Sequence, residues 1–199
     1  NSKNGLMMGY QKIKKNLIMK KILILLLTVT TSIVSAQKYF TKTGLTEFKA
    51  SVEAFETVEA ENKSTTAVLN SANGQFATLI FVKAFHFKVA LMEEHFNENY
   101  MDSDEFPKAT FKGNIEGYNH SELNNEEKEY IISGVLTIKG VSKDIKTKAT
   151  LCSLNNVISI KTAFSNKPQD FKIKIPGIIR EKIAKKINIH LNYQLNEKK

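Results

Sequence analysis

The sequence predicts an all-β domain, a closed or nearly closed antiparallel barrel of about eight strands with minor helical content. Three observations carry this reading. From Gln37 onward, apolar residues recur at every second position over several segments, which puts one face of each strand inside and one in solvent. Turn signals separate the segments: Asn73-Gly74, Lys139-Gly140, Asn155-Asn156 and a polar loop from Asn119 to Lys128. So many strands joined by short connections have an edge problem that closure removes, which favours a barrel over a sandwich.

The elements follow in order. Phe48, Ala50 and Val52 alternate with Lys49, Ser51 and Glu53. The run from Phe76 to Val82 is apolar on both sides, so either its outer face is covered or its register is open. Phe85, Val89, Met92 and Phe96 recur at spacings of four, three and four, the stripe of an amphipathic helix around 86–98. Alternation resumes with Ala109, Phe111, Gly113 and Ile115. It continues through Tyr130, Ile132, Gly134, Leu136 and Ile138, then Ile145 to Leu151, then Ile158, Ile160, Thr162 and Phe164. A second short helix is expected around 178–186 after Pro176-Gly177, its basic residues lying towards the C-terminal end where the macrodipole favours them. Ile187, Ile189, Leu191, Tyr193 and Leu195 then alternate with polar residues in a closing strand.

Charge is unevenly placed. The 199 residues carry a formal +9, a surplus that by itself would suggest phosphate or nucleic acid as partner. Residues 1–36 hold six lysines and no Asp or Glu, whereas the rest holds 23 Lys+Arg against 20 Asp+Glu. A balance of +3 after residue 36 is too small for a dedicated nucleic-acid binder, and none is expected. Met19-Lys20-Lys21, the uncharged run Ile22 to Val34 and the small residues Ser35-Ala36 read as a secretory signal peptide over 19–36. The run is shorter than the ~20 apolar residues of a membrane span. Residues 1–18 then read as an upstream extension, and 37–199 as one barrel domain. Cys152 is the only cysteine, so no intramolecular disulfide staples the domain.

Few motifs carry chemistry. Glu94, His95 and Glu98 lie within one helical turn, but a solvated face explains them better than a metal, since zinc takes three or four protein ligands. The acidic run Asp102-Ser103-Asp104-Glu105 offers paired carboxylates, yet it precedes Pro107 and reads more simply as a helix-ending loop. No nucleophile elbow, phosphate-cradling glycine loop or dinucleotide fingerprint occurs. No catalytic residue, metal or cofactor is expected. All twelve phenylalanines follow residue 36, and most fall on inward faces, where a barrel of this size is filled by side chains or holds one small ligand. Gly113 and Gly134, on inward positions, are read as leaving room for such a ligand.

Three stretches carry a resemblance: LMEEHFNENYMDSDEFPKATFKG (91–113), GVLTIKGVSKDI (134–145) and DFKIKIP (170–176). In order and spacing they closely resemble the YceI-like family of exported bacterial proteins, in the subtype common in Bacteroidetes, over about Gln37 to Leu195. The resemblance implies an extended lipocalin-like barrel whose apolar tunnel binds a polyisoprenoid or similar amphiphilic chain, and a periplasmic location. Many relatives carry an Asp and a His-Ser pair in the first strands, and Thr43-Gly44-Leu45-Thr46-Glu47-Phe48 has neither.

The expected tunnel lining is Phe48, Phe76, Ile80, Phe111, Ile132, Leu136, Ile158, Ile160, Phe164, Ile189, Leu191 and Tyr193, with Phe85, Met92 and Phe96 closing one side from the helix. The leading reading is thus a non-enzymatic periplasmic carrier of an isoprenoid or fatty-acyl lipid, with transient contact at a membrane surface allowed and oligomeric state, including a dimer, left open. Two others compete with it: a ligand-free structural or stress-related envelope protein with a filled barrel, and a metal-dependent enzyme built on Glu94, His95 and Glu98.

Overall fold

The computed structural model describes residues 14–15, 19–20, 37–52 and 57–198. The chain divides into two units, Asn1–Ser35 and Ala36–Lys199. In the first, Lys14, Lys15, Met19 and Lys20 are helical. The apolar run Ile22 to Val34 on which the signal-peptide reading rests lies outside the described residues.

The second unit is a closed antiparallel barrel of eight strands. In chain order these are β1 (Lys38–Ser51), β2 (Glu59–Asn70), β3 (Gln75–Phe81), β5 (Lys108–Glu116), β6 (Lys128–Ile138), β7 (Val141–Leu154), β8 (Val157–Asn166) and β9 (Ile183–Glu197), with the two-residue β4 (His86–Phe87) added on the edge of β2. Around the barrel the order is β1, β9, β8, β7, β6, β5, β3, β2, and β2 pairs back onto β1, so no long edge is left open. The closing strand follows its sequence pattern: Tyr193 and Leu195 are fully buried while Asn188, His190, Asn192, Gln194 and Asn196 face solvent.

The ambiguous run of β3 settles with Phe76 and Thr78 inward. Phe81 stays 47% exposed on the outside, with the Lys108 ammonium 5.7 Å from its ring centroid.

β2 has no counterpart among the segments expected from the sequence, because polar residues interrupt its inward face between Ala60 and Ala67. Asn62 and Thr65 are fully buried where alternation calls for apolar side chains. The Asn62 amide donates to the Phe81 carbonyl (3.0 Å), and its oxygen accepts from the Ser64 backbone N–H (2.8 Å) and hydroxyl (3.0 Å). A buried amide so satisfied costs little, and its polarity hid the strand. Register shifts in the β1–β2 ladder around Gly44 break the period further.

Two helical expectations change. The first helix, expected around 86–98, begins later: α1 is Ala90–His95, and the chain continues through a wider π turn, Phe96–Tyr100. His86 and Phe87 instead pair with Glu61 and Ala60. The helix expected around 178–186 does not form. Only a 3-10 turn, Gly177–Ile179, follows Pro176, and Ile183 to Lys186 belong to β9, where Ser51 pairs with Ile183. The ladder outweighs the local helical pattern, since Ile183 and Ile187 bury their side chains on the same face as Ile189 and Leu191.

Candidate functional site

The barrel is filled in one half and hollow in the other. At the closed end Tyr39, Leu69, Ile115, Leu151, Ile158, Ile160 and Leu195 form a packed core with little or no exposure. Ile158 and Ile160, expected on the tunnel wall, belong to this plug: at 0% and 1% exposure they sit beside Leu195 and Tyr193 across the β8–β9 ladder. Sequence parity fixes which face a residue is on, but not how far along the barrel axis the void extends.

The other half holds a cavity of about 420 Å³, within the ~300–1,000 Å³ of small-molecule sites. Of the residues named from the sequence, Phe48, Phe76, Ile80, Phe85, Met92, Phe96, Phe111, Ile132, Leu136, Phe164, Ile189, Leu191 and Tyr193 lie on its wall. A wholly filled barrel is therefore not what the chain builds. Sequence reasoning missed a second group of lining residues, Phe171, Ile173, Ile175 and Ile179, from the segment between β8 and β9. Their signal was legible in the DFKIKIP motif: Phe171 is buried, Ile173 and Ile175 turn inward, and Lys172 and Lys174 turn out. The alternation of a strand is kept there without a strand's pairing.

An aromatic floor separates the halves. The rings of Phe111 and Tyr193 lie 6.1 and 6.4 Å from that of Phe76. Tyr193 can lie flat against β1 because residue 44 is glycine; a Cβ there would meet its ring at 2.5 Å. The Tyr193 hydroxyl hydrogen-bonds that of Thr46 (2.8 Å), which is bonded in turn to that of Thr65 (2.8 Å). Thr46 to Phe48, the stretch without the Asp and His-Ser pair, thus contributes to floor and wall.

Burial raises the Tyr193 phenol to about 12, against the smaller opposing pull of its bonds to Thr46 and Thr65. Tyrosine is neutral when protonated, so the native state holds this proton more tightly than the unfolded chain does. Stability from this source is full below pH 10 and is lost as pH rises through about 12. An alkaline titration followed by tyrosinate absorbance is expected to show Tyr193 ionising together with unfolding near that pH. Ionisation near the ordinary value in a still-folded protein would contradict the buried hydroxyl network.

The mouth is walled by four phenylalanines. Phe48 stacks on Phe96 (centroids 5.4 Å) and meets Phe85 and Phe87 edge-on at 5.3 and 5.7 Å. α1 is held there at both ends. The Glu93 carboxylate accepts from the Phe87 backbone N–H (3.1 Å) and lies 3.6 Å from the His86 ring. After the π turn, the Lys139 ammonium at the tip of the β6–β7 hairpin donates to the Tyr100 carbonyl (2.9 Å) and pairs with Asp102 at 2.5 Å. Gly140 leaves room for the Phe106 ring, which a Cβ would meet at 2.8 Å. Two of the three sequence motifs are therefore the two halves of one clamp that fixes the helix across the mouth.

Polar groups are a minority of the lining, which includes Thr46, Thr78, Thr147, Thr162, Tyr100 and Tyr193. Asn166, His95, Lys167 and Lys182 reach the lining, and the Asn166 amide nitrogen, buried in the wall, has no hydrogen-bond partner among the described residues. Glu94, His95 and Glu98 do not assemble a site: among the described residues no three His, Cys, Asp or Glu side chains come together as a metal would need.

The comparisons with known proteins agree with this architecture. A polyisoprenoid-binding domain from Saccharophagus degradans, implicated in plant cell wall breakdown, superposes with a TM-score of 0.71 at 13% identity, covering 81% of this chain and 98% of its own. BcnA from Burkholderia cenocepacia gives 0.62 at 17% identity over 76% and 95% of the two chains. The YceI protein of Campylobacter jejuni gives 0.59 at 21% identity over 73% and 88%. At these identities the likeness is one of fold. No curated protein matches the chain. The YceI-like domain family matches residues 29–195, nearly the whole barrel unit, and the chain belongs to that family.

Proposed function

We propose that this protein is a periplasmic carrier, of the subtype common in Bacteroidetes, that holds the hydrocarbon chain of a polyisoprenoid or similar amphiphilic lipid inside the open half of the barrel. The cavity carries the reading: about 420 Å³ of space inside the barrel, with a mostly aliphatic and aromatic wall that includes Tyr193, residues of α1 and residues of the 171–183 segment. Burying ten methylenes there contributes about 8 kcal/mol at ~0.8 kcal/mol each. Even after the entropic cost of binding, that suffices for a useful carrier. Asn166 places a bare donor within reach of a polar head near the mouth. The family is a binding family rather than an enzyme family.

Native mass spectrometry of protein purified from its own cell envelope tests the reading. A discrete added mass, released by organic solvent and identified as a prenyl or acyl lipid, is the expected result. Protein that repeatedly carries no lipid and takes none up from detergent would overturn it.

A further inference from the structure

The basic balance of the barrel unit is concentrated at its mouth. Residues 167–186 contain seven Lys and Arg against Asp170 and Glu181, a surplus of five, whereas residues 37–199 as a whole exceed neutrality by only three. The rest of the unit is therefore slightly acidic. Among the described residues, Lys83, Lys88, Lys139, Lys146, Lys148 and Lys161 each have a carboxylate partner, whereas no ion pair falls within 167–186. Lys172, Lys174 and Arg180 are all exposed.

At the tip of the same segment, after Pro176-Gly177, Ile178 is 90% exposed. A scattered surface isoleucine needs no explanation, but this one continues inward. Its neighbour Ile179 lines the cavity, as do Ile175 and Ile183, so an apolar track runs from solvent to the inside of the barrel. Val89 and Leu91, also solvent-exposed, flank the mouth on the side of α1.

We propose that the 167–186 segment docks the open end of the barrel on an anionic lipid bilayer, with the lysines and Arg180 over the head groups and Ile178 dipped among the acyl chains. Basic residues at such a surface each contribute about fivefold in partition, and an apolar side chain beside them adds burial that zwitterionic and anionic lipid alike supply. The arrangement puts the mouth where a chain can leave the bilayer along Ile178, Ile179 and Ile183 without crossing water. It rests on the carrier reading for its purpose but not for its existence.

The test is co-sedimentation of the full-length exported protein with phosphatidylcholine vesicles made with and without phosphatidylglycerol. Binding is expected only with the anionic lipid and is expected to weaken as salt is raised. The triple variant Lys172→Gln, Lys174→Gln, Arg180→Gln should lose about a hundredfold in partition, and Ile178→Ser about tenfold. Both variants should still take up lipid delivered in detergent. Lys38→Gln with Lys198→Gln, at the filled end, removes charge away from the mouth and should change partition little. Equal binding to both vesicle types, or equal loss in the filled-end control, overturns the docking surface. Protein that loads from detergent but ignores vesicles sinks the docking proposal alone, whereas protein that binds vesicles yet never holds lipid sinks the carrier reading alone.

Discussion

Ala109→Trp is expected to abolish lipid uptake while leaving the barrel folded. Ala109 is 8% exposed, lies on β5 opposite Ile80 and faces the cavity, so an indole built there extends into empty space rather than into packed neighbours. The added ring takes a large share of the about 420 Å³ and blocks the path from the mouth to the aromatic floor. Lipid content by native mass spectrometry should fall at least tenfold. Urea unfolding should change by no more than the ~1–3 kcal/mol of ordinary overpacking. Undiminished lipid in a folded variant would mean that the chain binds elsewhere.

Gly134→Ala is expected to do the opposite, destabilising the fold with no direct effect on the cavity. From the sequence, Gly113 and Gly134 read as inward positions that leave room for a ligand, and the structure corrects this. They are cross-strand partners on β5 and β6, and the space beside each is occupied by the other's backbone. A Cβ on Gly134 would run into the Gly113 Cα and the Lys112 carbonyl, and one on Gly113 would meet the Ser133 carbonyl and, at 2.6 Å, the tip of the Phe111 ring. Backbone cannot rotate aside as a side chain can, so the strands must part and lose ladder bonds. A loss of about 2–4 kcal/mol is expected in urea unfolding, among the larger effects of a single methyl group. A cost under about 0.5 kcal/mol would show that the two strands have more freedom than their register implies. For the same reason, a bulkier residue at 134 would unfold the barrel before it plugged it.

These two positions show where sequence was legible and where it was not. Parity tells which residues face inward wherever a strand runs without a bulge, because its side chains alternate: Phe111, Leu136, Phe164 and Ile189 follow from counting in twos. Depth along the axis has no such signature. Ile160 and Leu191 have the same chemistry and the same parity, yet one lies in the plug and the other in the cavity wall. Strand β2 escaped because its buried Asn62 and Thr65 satisfy their polarity through neighbours that no single segment reveals. The helix expected at 178–186 failed for the complementary reason, a local pattern overruled by pairing with a strand far away in sequence. The three motifs, by contrast, led to the correct family, and the structure gives two of them the task of clamping α1.

The filled end of the barrel has a consequence for how the protein can change. Because Leu69, Leu151, Ile158 and Leu195 make their contacts with one another and not with cargo, cohesion of the domain does not depend on what it carries, or on whether it carries anything. Substitutions on the cavity wall therefore fall on residues that already border a void, where volume can be added or removed at small cost to the whole. A scaffold divided in this way can drift from one hydrophobic passenger to another in small steps, each intermediate remaining a folded protein.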